Sequence, residues 1–219
     1  MKCILCGNGA WEEFYINSPP SRFFHQCKYC ELIFLNPSQR LSLDAEKERY
    51  DLHENSDTLG YRSFLNRLAE PLSQCLKLGN IGLDYGCGVL PLMEILFREK
   101  GLFMHSYDPF FFPEKQLLGK KYDFITCSET AEHFFEPRVE FEKLFSMLKP
   151  GGFLGIMTQF SPLRAEFANW YYAKDPTHVC FYSPATLQWI ADFFGASVEI
   201  FPPSVAIFQE KGARRNLRL

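Results

Sequence analysis

The amino-acid sequence predicts an α/β protein: a mostly parallel sheet whose last strand runs antiparallel, joined to a small N-terminal ribbon. Three observations carry that prediction. Residues 78–210 alternate short apolar runs with stretches of helical period, as a sheet with crossover helices requires. Pro202-Pro203 is the whole link between the last two apolar runs, too short for a crossover helix, so those strands pair antiparallel. Four of the eight cysteines fall in two Cys-x-x-Cys pairs near the N-terminus.

Four regions follow in order. Residues 1–40 hold the paired cysteines and two short runs of strand character, Phe23-Phe24-His25-Gln26 and Leu32-Ile33-Phe34-Leu35. Residues 41–77 read as a helical linker or cap, with Tyr61, Phe64, Leu65 and Leu68 at i, i+3, i+4, i+7 spacing. Pro71 is expected to break that segment in two. In 78–210, strands are expected near 80–85, 103–107, 122–127, 153–158, 197–201 and 204–209, and helices near 91–100, 138–148 and 184–194. Pro91 and Pro184 suit first helical turns, with Ser183 as an N-cap. Gly151-Gly152 after Lys149-Pro150 ends the middle helix. Residues 211–219 form a basic tail, with Lys211, Arg214, Arg215 and Arg218, read as solvated and frayed.

The 219 residues are 47% hydrophobic and 22% charged, which fits a folded chain and not a disordered one. The 23 phenylalanines suit a core and a pocket that excludes water. A net charge of −3 gives no general basic face to replace phosphate counterions, so nucleic acid is not an expected partner. No uncharged apolar run approaches the ~18 residues of a membrane span. The start, Met1-Lys2-Cys3-Ile4-Leu5-Cys6, has no secretory leader pattern. The expected location is the cytoplasm, where cysteines serve as ligands or buried thiols more than as disulfides.

Cys3 and Cys6, then Cys27 and Cys30, are two pairs separated by 20 residues. Two residues between ligands let both sulfurs of a pair turn inward from one tight turn, so the four can close a tetrahedral thiolate cage around Zn²⁺. A ribbon of this size cannot bury a sufficient core alone, and the metal supplies the missing folding energy. With every position filled by protein the zinc is structural. Cys75, Cys87, Cys127 and Cys180 read as buried small apolar residues.

Asp84-Tyr85-Gly86-Cys87-Gly88 runs from a strand through a glycine turn into a helix, a backbone that lets a ligand approach closely. The dinucleotide pattern Gly-x-Gly-x-x-Gly fails, because its third glycine falls at Pro91. Asp108 closes the next strand, where a carboxylate can accept both hydroxyls of a ribose. Tyr122-Asp123-Phe124-Ile125, Glu129-Thr130-Ala131-Glu132-His133 and Leu148-Lys149-Pro150-Gly151-Gly152 follow. This succession, over roughly 130 residues, resembles the class I S-adenosylmethionine-dependent methyltransferase family, which has a Rossmann-like sheet. The resemblance implies that Asp84, Tyr85, Gly86, Cys87 and Gly88 hold the methionine part of the cofactor. It places Asp108, with Pro109, at the ribose, and Cys127, Ser128 and Glu129 beside adenine and methionine.

Two departures stand out. Leu90 replaces the family's third glycine. Only 12 residues separate Asp108 from Lys121, where the family fits a helix, a strand and another helix. The sheet is therefore expected to lack its usual third strand, with an adenine pocket built from Pro109, Phe110 and Phe111.

For the chemistry, His133 lies in the loop that by resemblance faces the sulfonium, beside the catalytic candidate Glu129, with Glu132 or Glu136 to orient its ring. His178 lies in Asp175-Pro176-Thr177-His178-Val179, within a Trp- and Tyr-rich loop of lid length that resembles a segment of small-molecule methyltransferases. The Asp-Pro-Phe of exocyclic base methylation is misplaced here, after the second strand and not the fourth. The expected activity is methylation of a small molecule, at oxygen or carbon. The cysteine ribbon with this core also resembles zinc-containing sugar C-methyltransferases, which are longer, and so points to a sugar or nucleotide-sugar. An RNA methyltransferase and a non-catalytic cofactor-binding module remain the alternatives.

Overall fold

The computed structural model describes residues 1–17, 21–51, 56–167 and 169–211. The predicted tail beyond Lys211 lies outside the described residues. At the N-terminus, β1 (Trp11–Asn17), β2 (Arg22–Cys27) and β3 (Ile33–Leu35) pair as an antiparallel meander. One Cys-x-x-Cys turn precedes β1, and the other joins β2 to β3.

Two helices follow, α1 (Leu43–Asp51) and α2 (Leu59–Gln74). Thr58 caps α2, its hydroxyl accepting from the Tyr61 amide at 3.1 Å. Pro71 lies inside α2 and does not break it, contrary to expectation. Its ring removes one hydrogen bond in the last turn, at a cost of about 3 kcal/mol. Against that, Leu65, Leu68, Ala69 and Leu72 are buried on both sides of the proline, and each large apolar side chain so buried contributes about 1.5–3 kcal/mol.

The main sheet contains β4 (Ile81–Tyr85), β5 (Phe103–Tyr107), β6 (Tyr122–Ser128) and β7 (Leu148–Met157), all parallel. The helices α3 (Leu92–Glu99) and α4 (Pro137–Met147) connect them, with Pro91 as the N-cap residue of α3. After β7 come the one-turn helix α5 (Arg164–Phe167), the two-residue β8 (Cys180–Phe181) and α6 (Pro184–Phe194). Ser183 caps α6 reciprocally with Thr186, behind Pro184 in the first turn. β9 (Ala196–Phe201) and β10 (Val205–Glu210) close the sheet, whose order is β5-β4-β6-β7-β10-β9. β10 runs antiparallel to both neighbours, as the Pro202-Pro203 link requires.

As expected, the family's usual third strand is missing among the described residues. Between β5 and β6 the chain makes a tight turn, with Asp108 and Phe112 exchanging backbone bonds, then a single helical turn, Lys115–Gly119. β5 is therefore a sheet edge. One face of the sheet packs on α2 and α3, where Leu68 and Leu72 approach Gly155 so closely that a Cβ there would stand 2.8 Å from a Leu68 methyl carbon. The other face packs on α4 and α6 in a core continuous with the N-terminal meander.

β8 was not expected as a strand. It pairs with β3 and becomes the fourth strand of the N-terminal sheet, order β1-β2-β3-β8. Cys127 and Cys180 are buried as expected, but Cys87 is half-buried and Cys75 is exposed. Cys75 caps the C-terminus of α2, where the chain leaves the core. Among the described residues no helix is long and apolar enough to cross a membrane.

Candidate active site

A cavity of about 1000 Å³ opens beyond the carboxyl ends of β4, β5 and β6. Its first end is the glycine turn after β4. Gly86 and Gly88 have φ of +81° and +65°, which side chains rarely adopt. The Gly86 and Cys87 amides donate to the Tyr107 carbonyl at 2.8 and 3.2 Å, which ties the turn to β5. A Cβ on Gly86 would stand 2.3 Å from a Thr130 carbon, whereas nothing lies within 4 Å of that position on Gly88.

Asp108 organises the facing wall. Its Oδ2 accepts from the Gly88 amide at 3.0 Å, and its Oδ1 accepts from Phe110 and Phe111 at 2.8 and 3.1 Å. The carboxylate thus joins the two loops of this end and keeps further lone-pair capacity for a hydroxyl donor. Asp84 is buried beneath the turn and accepts from the Thr126 hydroxyl at 2.7 Å. Burial pushes its carboxyl up to about 7, against the Thr126 bond. Tyr85 turns its hydroxyl onto Glu140 and Lys143, at 2.5 and 3.0 Å. Pro109, Phe110, Phe111, Ser128 and Glu129 line the cavity too. Cys127 does not; its side chain is wholly buried behind the end of β6.

At the opposite end, His133 and His178 stack edge to face with ring centres 4.8 Å apart. Each ring is fixed by a backbone carbonyl. His133 Nδ1 donates to Thr177 at 3.1 Å and His178 Nδ1 to Tyr172 at 2.7 Å. In the neutral rings both Nε2 atoms then carry the lone pair. Burial holds the His178 pKa below its ordinary value. The expected orienting role of Glu132 or Glu136 gives way to these carbonyls: Glu136 is exposed, and the nearest Glu132 oxygen is 4.0 Å from His133 Nε2. Asp175 accepts from the Thr177 amide and hydroxyl at 2.9 and 2.6 Å. Burial alone would raise its carboxyl, but those two bonds outweigh it and bring it to about 2.

Two carboxylates complete this end. Glu129 holds φ at +48°, a strained value for a side-chain-bearing residue, with its amide bonded to Met157. Burial, reinforced by the Glu132 charge, pushes its carboxyl up to about 8. Glu132 is fully buried and accepts from the Tyr172 hydroxyl, which also stands 3.3 Å from Glu129 Oε2. Glu129 Oε1 and Glu132 Oε2 are buried without a hydrogen-bond partner. Tyr172 was not singled out from the sequence, although it lies in the aromatic loop read as a lid.

The family model described as a methyltransferase domain matches residues 53–199. The chain belongs to this methyltransferase-domain family. No curated protein matches it in sequence. Among solved structures, mycolic acid cyclopropane synthase CmaA1, complexed with SAH and CTAB, is similar with a TM-score of 0.50 and 18% identity, over 76% of this chain and 70% of that one. A putative O-methyltransferase from Nostoc punctiforme gives a TM-score of 0.50 and 12% identity, over 68% of this chain and 58% of that one. An O-methyltransferase family protein from Burkholderia thailandensis gives 0.46 and 15%; the match covers 77% of this chain and spans 64% of the Burkholderia chain. At these identities the likeness is one of fold. The glycine turn, Asp108 and the histidine end thus occupy one cavity of this methyltransferase domain.

The four N-terminal cysteines converge outside that cavity, with one Sγ from each within 4.8 Å of the others. Cys3 and Cys30 sulfurs are 3.6 Å apart, and Cys6 and Cys27 sulfurs 3.5 Å, far beyond a disulfide bond. Tetrahedral ligands at the ~2.3 Å Zn–S distance stand about 3.8 Å apart. Backbone amides of Asn8 and Tyr29 donate to the Cys6 and Cys27 sulfurs at 3.4 Å, an outer layer that suits thiolates.

Proposed function

We propose that the chain methylates a small-molecule acceptor at oxygen or carbon, with Zn²⁺ held structurally by Cys3, Cys6, Cys27 and Cys30. One observation carries the reading. A single cavity joins a glycine-and-aspartate end to a histidine-and-glutamate end. The first end fits S-adenosylmethionine. Gly88 borders open space, Ser128 Oγ is buried without a partner, and Asp108 faces the cavity with acceptor capacity. Asp84, Tyr85, Gly86, Cys87, Gly88, Asp108, Pro109, Ser128 and Glu129 hold the cofactor in this reading, with Cys127 packed behind. When bound, the cofactor supplies a methyl group activated on a sulfonium sulfur.

At the other end, Glu129, His133 and His178 draw off the acceptor's proton and orient its nucleophilic atom. The lid residues exclude water, with Tyr172 buried and Tyr171 exposed at the rim. Eight carboxyl side chains and three basic ones line the cavity, and even with Asp84 and Glu129 held toward their neutral form the acidic groups outnumber the basic. That balance favours a cationic cofactor with a neutral or cationic acceptor, and it weighs against RNA and other phosphate-bearing acceptors. A sugar hydroxyl or its neighbouring carbon satisfies both this charge and the resemblance to zinc-containing sugar C-methyltransferases.

Calorimetry with S-adenosylmethionine and S-adenosylhomocysteine tests the reading. Both should bind, and Asp108→Asn should weaken both about tenfold, the loss of a charge-assisted hydrogen bond of roughly 1.5 kcal/mol. A folded, zinc-loaded protein indifferent to both ligands would sink it. A metabolite-pool assay with labelled cofactor then identifies the acceptor, and loss of turnover in His133→Ala and His178→Ala with cofactor affinity intact locates the acceptor end.

A further inference from the structure

We infer that the acceptor end of the cavity binds a divalent transition-metal ion, with Glu132, His133 and His178 as its protein ligands. One ligand atom from each of these residues lies within 4.8 Å of the other two. His133 Nε2 and Glu132 Oε1 are 4.0 Å apart. Ligands ~2.1 Å from a shared ion stand about 3.0 Å apart when adjacent and about 4.2 Å when opposite. Small side-chain torsions therefore bring all three onto one coordination sphere.

Three features distinguish this cluster from a chance grouping. Both imidazoles donate Nδ1–H to a backbone carbonyl, His133 to Thr177 and His178 to Tyr172. Metal-binding histidines are held in this way, because the outer hydrogen bond sets the tautomer and ring angle and leaves Nε2 for the ion. Glu132 is fully buried, and while its Oε1 takes the Tyr172 hydroxyl, its Oε2 has no partner. A buried carboxylate oxygen left without a donor is costly, and folded proteins rarely keep one. A cation satisfies it where no side chain does. Lastly, the excess of carboxylates around the cavity draws a divalent cation toward this end.

The donor set selects the ion. Two imidazoles and a carboxylate suit Mn²⁺, Fe²⁺, Co²⁺ or Zn²⁺, whereas Mg²⁺ and Ca²⁺ prefer oxygen ligands throughout. Three protein ligands leave positions open toward the cavity, where an acceptor hydroxyl binds and loses its proton more readily. The histidines then hold the ion and orient the acceptor, and the proton passes to Glu129, which stands beside the cluster with its Oε2 3.3 Å from the Tyr172 hydroxyl. That role rests on the methyl-transfer reading; the presence of the ion does not.

Mn²⁺ is the probe, because thiolates bind it poorly and the cysteine cluster stays silent. Full-length protein stripped of loosely held metal with EDTA is titrated with MnCl₂ while the free-ion electron paramagnetic resonance signal is followed. The expected result is one Mn²⁺ per chain in the micromolar range, with affinity at least tenfold weaker in Glu132→Gln and in His133→Gln. His133 keeps 16% of its side chain exposed, so its variant serves if the buried Glu132→Gln does not fold. A free Mn²⁺ signal unchanged up to millimolar protein overturns the site, and so does equal affinity in folded His133→Gln. S-adenosylhomocysteine calorimetry on the same stripped protein reads the other assignment separately. Ligand binding without Mn²⁺ binding removes the ion site alone. Mn²⁺ binding without ligand binding upholds the site and removes the methyltransferase reading.

Discussion

The Arg22 guanidinium, in the second strand of the N-terminal sheet, donates to the backbone carbonyl of His178 at 2.8 Å. The same group donates to the carbonyls of Ala173 and Asp175 at 2.9 Å and of Pro176 at 3.4 Å. One side chain of the cysteine-bearing sheet therefore gathers the loop that carries the acceptor-end histidine. The β3–β8 pairing holds the same loop from its far side. The Val179 amide, donating to the Glu132 carbonyl at 2.8 Å, ties it to the other histidine-bearing loop.

Arg22→Ala removes all four donations at once. Each charge-assisted bond contributes roughly 1.5–3 kcal/mol in isolation, and bonds sharing one group are not additive. Urea unfolding should show a loss of about 2–4 kcal/mol, and turnover should fall at least tenfold as His178 loses its register. S-adenosylhomocysteine affinity should change little, because the glycine turn and Asp108 lie elsewhere. Arg22→Lys should recover only part, since an ammonium cannot reach four carbonyls spread across a planar fork. Arg22→Ala as stable and active as the parent would show that the loop is positioned without the N-terminal sheet.

Removal of the proposed zinc has a related consequence. The purified chain should carry one equivalent of Zn²⁺ by elemental analysis, and Cys27→Ser should lose it. Cys27 is buried, and its neighbours Phe24 and Phe34 are among the fully buried side chains of the shared core. Loss of the ion should therefore abolish near-ultraviolet circular dichroism from that aromatic core along with turnover. Retained turnover in a metal-free variant would show that the sheet stands without the ion.

These couplings mark where sequence reasoning stops. The six strands of the main sheet were legible because apolar runs and helical periods are local patterns, and the trimmed edge was legible because 12 residues cannot hold a helix-strand-helix unit. The place of the glycine turn after β4 and of Asp108 at the end of β5 was legible for the same reason. The pairing of Cys180–Phe181 with Ile33–Leu35 was not, because a two-residue strand has no period and its partner lies far away in the chain. Nor was the grip of Arg22 on the lid, since backbone carbonyls carry no sequence signature. Pro71 misled because a helix tolerates one lost hydrogen bond when its flanks are buried. Tyr172 was hidden among three adjacent aromatics, and only the fold shows that its hydroxyl is the one bridging two glutamates.

Asp84 gives a pH signature. Its carboxyl is raised from an ordinary 3.8 to about 7, mainly by burial. Between those values the folded chain keeps a proton that the unfolded chain releases, so the folded state binds more protons and stability falls as pH rises. The loss begins near pH 4, is complete by about pH 7 and persists above it. Asp84→Asn keeps an oxygen for the Thr126 hydroxyl and cannot ionise. Urea unfolding of the ligand-free proteins at pH 5, 6, 7 and 8 should therefore show the variant gaining on the parent, by about 2–3 kcal/mol from pH 5 to pH 8. Parallel pH profiles would place the Asp84 pKa near its ordinary value and contradict its burial.

The two glycines of the turn should fail differently when given a side chain. Gly86→Ala places a Cβ 2.3 Å from Thr130 Cγ2 at a φ of +81°, so overpacking and left-handed strain act together, and stability should drop by about 2–4 kcal/mol. Thr130→Ala in the same chain relieves the closest two of the three contacts and should restore part of that loss, a coupling of roughly 1–2 kcal/mol in a double-mutant cycle. Gly88→Ala carries the backbone strain at φ +65° but meets no atom within 4 Å, so its stability cost should be near 1 kcal/mol. Its methyl group instead enters space that the cofactor reading assigns to S-adenosylmethionine. Calorimetry should then show Gly88→Ala losing cofactor affinity while remaining folded, and equal affinity in parent and variant would mean that the ligand does not lie against this turn.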